Sequence, residues 1–278
     1  MLATRIALID KTGLNDAAYL SAVAAALSIQ ASRDLGQFWP VNATVQSFPA
    51  NQGVPAGFQP IFLVANLSAE EGGVHLNENN QVYANVQMGD GWTIAASHEM
   101  CEMLVDPSTN RTQASRAIGV VDGEVVDTEG IFEYLVEVCD PCEGPDRAYS
   151  IDGIPVSDFY TNHYFDAVPT SGIRYSFNSK IPAPRKVLKG GYLAWHDPLR
   201  NVWQQLDYVN YDPPQIVPVD HVTGARSLRE AIDSRLQLSR RISATDREHP
   251  LLRNAAAHRR TITDSARARA HLYGMKRD

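Results

Sequence analysis

His98-Glu99-Met100-Cys101-Glu102 constrains this chain more than any other stretch. It sits within Trp92–Asp106, a run that reads as a helix closed by Pro107, because the residue before a proline is pushed out of the helical region. Residues i and i+4 share one face of a helix. His98 and Glu102 therefore face the same way and can grip one ion. Glu99 points about a third of a turn aside, towards a water on that ion. The competing reading is a solvated face carrying His98, Glu99 and Glu102, with Met100, Met103 and Leu104 turned inward.

The segments before the motif set its context. Arg5–Ile9 is a short apolar, β-branched run and predicts a strand. Asn15 or Asp16 can cap a helix over roughly 15–35, in which Leu20, Val23, Ala24, Leu27 and Ala31 keep near the 3.6-residue period. Val41–Phe48 alternates apolar and polar residues, and Ile61–Ala65 and Val82–Val86 are further strand candidates. The expected order is strand, helix, strand, strand, strand, motif helix.

An ion held by His98 and Glu102 needs a third protein ligand. Asp106 lies one turn further along the same stripe, but its place before Pro107 suits a turn. Glu137 and Asp140 follow the apolar run Tyr134–Val136 three residues apart and are the better pair. The plain alternative for them is a strand ending in an acidic turn.

The motif resembles the HExxH of zinc proteases with its second His replaced by Glu. With the preceding elements, residues 5–106 resemble the N-terminal half of the zincin metallopeptidase fold. Ser97-His98-Glu99-x-x-Glu102, Glu137-x-x-Asp140-x-Cys142 and Asp152-Gly153 also resemble the plant phosphate-induced (Exordium-like) proteins and related bacterial sequences, over about residues 90–166. The resemblance implies an α+β fold with a zincin-like mixed sheet and an active-site helix; turn signals further on add a loop- and hairpin-rich region, and the Ala- and Arg-rich end a helical C-terminal tail. It implies a metal held by His98, Glu102 and one or both of Glu137 and Asp140, with Glu99 as catalytic base. Glu137 and Asp140 can divide the roles of third ligand and orienter of His98; which takes which stays open. Zinc is the expected ion. A donor set with one imidazole and several carboxylates also admits manganese or calcium.

The chain has 278 residues and is 44% apolar, enough for one large domain or a domain with an appendage. A metallopeptidase domain is expected over 1–210, with a proline-containing connector and basic helical tail over 211–278. No apolar run is long enough to span a membrane. Met1–Ile6 lacks the apolar region of a signal peptide, so cytoplasmic placement, or export without one, is expected. The three cysteines do not form a disulfide framework. Cys139-Asp-Pro-Cys142 is open to reading as structural thiols, a disulfide, or a metal or redox pair.

Charge is unevenly spread. Residues 1–224 hold 12 Lys and Arg against 26 Asp and Glu; residues 225–278 hold 13 against 6. The basic tail suits docking on the acidic body, a protein partner or another copy. No aromatic stacking set accompanies it, so nucleic acid is not expected. Residues 107–131 read as a polar surface excursion, and 144–191 as short strands or ordered loops. Asp158–Phe165 is aromatic enough to wall a cleft, and His163 is an oxyanion-stabilising candidate or a loop residue. Residues 190–206 predict a hairpin turning at Asp197–Asn201, 208–223 an extended connector, and 227–237 a helix capped by Ser227. The expected function is metal-dependent hydrolysis of peptides or proteins. The alternative is a weak or inactive zincin scaffold serving binding or assembly.

Overall fold

The computed structural model describes residues 3–67, 72–219, 232 and 248–274. The fold is mixed α+β. The N-terminal sheet contains β1 (Thr4–Asp10), β2 (Ala43–Phe48), β3 (Gln59–Val64), β4 (Gly73–Glu78) and β5 (Gln81–Gln87) in the order β2-β1-β3-β5-β4. β1 pairs parallel with β2 and β3, and β3 parallel with β5; β4 alone runs antiparallel, on the edge. Helix α1 (Ala17–Ile29) connects β1 to β2 and is capped by Asp16, whose carboxylate accepts the Tyr19 N–H at 2.9 Å.

β4 is absent from the expected order. It is short, with only Gly73 and His75 of its six residues buried, so its apolar signal is weak. It joins β5 through Asn79-Asn80, both at positive φ (53° and 62°), as a tight hairpin requires.

Helix α2 spans Trp92–Val105, and every one of its residues but Ala95 is buried. It packs against β4, β5 and the later strand β9 (Ile154–Val156). A helix buried on all sides has no solvated face. The solvated-face reading of His98, Glu99 and Glu102 is therefore overturned.

The second sheet is antiparallel throughout. It contains β6 (Thr112–Val121), β7 (Glu124–Leu135), β10 (Tyr192–Asp197), β11 (Val202–Asp207) and β12 (Gln215–Pro218), in the order β12-β11-β10-β7-β6. Residues 107–131 thus form most of a long hairpin and not a surface excursion. Asp122 and Gly123, both at positive φ, make its two-residue turn. Glu129-Gly130 lies inside β7, opposite the register shift between Arg116 and Ile118, and does not turn the chain. The connector carries β12, so this sheet continues past residue 210. The β10–β11 hairpin turns where the sequence places it.

Between the second sheet's hairpins, β8 (Tyr149–Ile151) pairs with β9, and the rest of 144–191 is mostly ordered loop. One contiguous core runs from Ile6 and Leu8 of β1 through Met100 of α2 to Tyr134 of β7 and Trp195 of β10. Helix α3 (Pro250–Gly274) lies against α1 and β9. The expected helix over 227–237 lies, apart from the buried Ile232, outside the described residues.

Candidate metal centre

The buried position of α2 fixes the problem at this site. An ionised side chain in the interior costs several kcal/mol unless it is paired or bound to a metal. α2 brings three ionisable groups inward: His98, Glu99 and Glu102, exposed by only 6%, 2% and 0%. A hydrogen-bond relay holds the helix in place. Ser97 Oγ donates to Gln30 Oε1 at 2.8 Å and accepts the Ser157 N–H at 2.7 Å, while Gln30 Nε2 donates to the Ser157 carbonyl at 2.9 Å. Gln30 opens a π-helical turn at the end of α1, a distortion that recurs near functional sites.

His98 and Glu102 face each other one turn apart, with Nε2 3.2 Å from Oε1. Asp140, at the start of the 3-10 turn Asp140–Cys142, brings Oδ1 to 3.1 Å from the same Nε2. Neither contact has the geometry of a hydrogen bond. Glu137 joins Glu102 and Asp140, with one donor atom from each lying within 4.8 Å of the others. Glu143, half-buried, reaches 4.0 Å from His98 Nδ1. All four residues expected to hold a metal, His98, Glu102, Glu137 and Asp140, thus gather in one buried place. Asp106 does not join them: it caps the C-terminal end of α2, and its Oδ2 accepts the Arg111 N–H at 2.8 Å.

The second sheet delivers the two downstream carboxylates from just beyond β7. Gly191, ahead of β10, lets that loop in closely. A Cβ there would stand 2.5 Å from the Asp140 carbonyl oxygen and 2.9 Å from the Pro141 carbonyl carbon. Any side chain at 191 must move the turn that bears Asp140.

Burial opposes a charge on His98, but the carboxylates of Glu102, Asp140 and Glu99 outweigh it and hold its pKa well above the ordinary value. The residues fit a cation: two carboxylates, from Glu102 and Asp140, approach one buried imidazole nitrogen, Nε2 of His98. A divalent ion would replace the proton there.

Cys139 donates its backbone N–H to Glu102 Oε1 at 3.2 Å, and its thiol lies 3.8 Å from the His98 carbonyl oxygen. Cys101, Cys139 and Cys142 are free and buried. Burial above all, then Cys101 and Glu102, pushes the Cys139 thiol well up; burial and Asp158 do the same to Cys142. Reactive thiols have depressed pKa values and some exposure, so the disulfide and redox readings of Cys139 and Cys142 find no support.

Two residues near the cluster escaped singling out from the sequence. Tyr160 is fully buried and stacks on Tyr164 with ring centroids 4.2 Å apart. Its hydroxyl makes no hydrogen bond, and burial, with Tyr164, Glu137 and Glu102 nearby, raises its pKa well above the usual phenol value. The aromatic composition of 158–165 was its only signal. His163 sits in a turn, as its loop reading expects, and pairs with Asp166 at 2.9 Å. The other omission is His75, on the unforeseen β4: fully buried, its Nδ1 stands 3.5 Å from Glu99 Oε2 and 3.6 Å from Glu102 Oε2. Comparisons with models of protein families, with curated proteins and with solved structures found no match.

Proposed function

We propose that the chain is a metal-dependent peptidase built on a zincin-like scaffold, with zinc as the expected ion. The observation that carries this reading is the convergence of Glu102 and Asp140 on His98 Nε2, at 3.2 and 3.1 Å, in the interior and without hydrogen-bond geometry. His98, Glu102 and Asp140 would hold the ion, with Glu137 beside them as a further ligand or support. Bound there, a divalent ion polarises a carbonyl and acidifies water. With this centre alone filled, Glu99 is the proton acceptor, since a buried carboxylate next in sequence to the ligand His98 is positioned to take a water proton and return it to the leaving amine. The Tyr160 hydroxyl is the available donor for an oxyanion.

β4 supports the choice of substrate. It is one of the two edges of its sheet and the one that packs along α2, so an extended peptide can add to it as a further strand. A second reading, a weak or inactive scaffold that binds rather than cleaves, is favoured by burial. Glu102, Asp140 and Glu137 are exposed by 0%, 1% and 4%, whereas catalytic zinc keeps an open position.

One experiment separates the two. The full chain is loaded with zinc and assayed on a mixed peptide library beside its Glu99→Gln variant. A peptidase cleaves, and Glu99→Gln loses cleavage while keeping the ion at His98. A binding scaffold holds zinc and cleaves nothing in either form. Failure to hold zinc, manganese or calcium ends the peptidase reading and leaves only a scaffold without a metal.

A further inference from the structure

We propose that a second divalent cation binds between His75, Glu99 and Glu102, with Glu102 bridging it to the centre at His98 and Asp140. The inference rests on the metal reading of that first centre and extends it to a pair of ions.

The starting point is His75. Its side chain is fully buried, yet neither ring nitrogen makes a hydrogen bond. Buried polar groups are hydrogen-bonded in the large majority of cases. Glu99 Oε2 is likewise buried and without a hydrogen bond. The two side chains come from different elements, β4 and α2, and aim at the same point.

Their separations identify what fits there. Nδ1 of His75 is 3.5 Å from Glu99 Oε2 and 3.6 Å from Glu102 Oε2. Ordinary N–H···O bonds are about 2.7–3.2 Å long, so these contacts are too open. Two ligand atoms at about 2.1 Å from one tetrahedral ion stand about 3.4 Å apart. The spacing therefore matches the edge of a coordination shell. The three donor atoms all lie within 4.8 Å of one another.

Glu102 makes the link. Its Oε1 faces His98 Nε2 at 3.2 Å, and its Oε2 faces His75. One carboxylate thus presents an oxygen to each imidazole, the arrangement by which a carboxylate bridges two ions. Gly73 on β4 makes room for the third donor: a Cβ there would stand 2.7 Å from Glu99 Oε1 and 2.8 Å from its Cγ.

One imidazole and two carboxylates suit a dication that accepts both nitrogen and oxygen ligands, such as Zn²⁺ or Mn²⁺. Filling this position turns Glu99 from a free proton acceptor into a ligand.

The test uses the full chain, stripped with a chelator and titrated with MnCl₂. Bound metal is counted by mass spectrometry, and the spin state is read by electron paramagnetic resonance. The expected result is two manganese ions per chain with an exchange-coupled signal. His75→Gln should then hold one, with the signal of an isolated ion. Saturation of the wild type at one ion, lost in His98→Ala but kept in His75→Gln, overturns the second site and leaves the first standing. Two uncoupled ions overturn it as well, since the extra one then lies elsewhere. No bound manganese, and no bound zinc when the titration is repeated with ZnCl₂, overturns both this inference and the metal reading beneath it. The wild-type count decides the matter even if a variant fails to fold, which near-ultraviolet circular dichroism would reveal.

Discussion

α2 and α3 both carry ionisable side chains, and they place them in opposite settings. α3 keeps Arg253, Arg260, Asp264, Arg267 and Arg269 exposed, and turns Leu252, Ala255, Arg259, Ile262 and Ala266 towards the body. That is the pattern of an amphipathic surface helix. α2 buries nearly every residue, including His98, Glu99 and Glu102. Charge on α3 is already solvated and needs no partner. Charge on α2 has left water and must be compensated inside the protein. The same residue types are therefore decoration on one helix and chemistry on the other.

If this contrast holds, the largest effect follows from emptying the centre on α2. His98→Ala removes the imidazole that Glu102 and Asp140 face. It should abolish bound zinc and cost about 3–5 kcal/mol in urea unfolding, the usual result of stripping a buried charge of its partner. A variant that keeps zinc and unchanged stability would erase the distinction between the helices.

Asp158 measures what burial does to a carboxylate even with the Lys180 charge acting on it. Burial outweighs the hydrogen bonds from the Asn178 and Phe159 N–H groups and pushes its pKa up to about 6 from 3.8. A raised folded-state pKa means that the folded protein binds the proton more tightly. The contribution is then fully present below about pH 4 and is lost as pH rises through about 6. The shift corresponds to roughly 3 kcal/mol at most. Asp158→Asn, which keeps both accepted N–H bonds possible, should flatten the decline in stability between these pH values. An unchanged slope would show that Asp158 titrates normally.

Gly191→Ala tests the support of Asp140. Its Cβ meets backbone that must move, so a cost of about 1–3 kcal/mol is expected, with a zinc affinity about 10–100-fold weaker. Gly53→Ala, where a Cβ meets nothing within 4 Å, should stay within about 0.5 kcal/mol. Equal effects at the two glycines would deny the loop its positioning role.

The smallest effect is expected on α3. Arg259 donates to the Leu14 carbonyl at 2.8 Å and lies 5.1 Å from the Tyr19 ring centroid. Arg259→Ala should cost about 0.5–1 kcal/mol, with zinc content unchanged. Loss of zinc in that variant would tie the tail to the metal centre.

The legible parts of the molecule had strong local signals. The i, i+4 spacing of His98 and Glu102 and the stop at Pro107 gave α2 its bounds, Trp92–Val105. The apolar runs at β1, β3 and β5 and the helical period of α1 were equally direct. Glu137 and Asp140 were found as a spaced carboxylate pair, though their meeting with His98 depends on a fold-back that no spacing reports. β4 was lost because it buries few residues, and His75 was lost with it. β6 and β7 expose many polar residues, so their sequence reads as a surface excursion and not as paired strands. The Asp122-Gly123 turn signal marks their hairpin. A lone buried histidine on an edge strand has no sequence signature, since only the tertiary fold brings it to Glu99 and Glu102.

The most direct test of the metal centre is anomalous diffraction at the zinc edge from crystals of the full chain grown with zinc. The account predicts a peak within bonding distance of His98 Nε2, Glu102 and Asp140. A well-ordered map with no peak there, and with these side chains hydrogen-bonded to water or to one another, would contradict it.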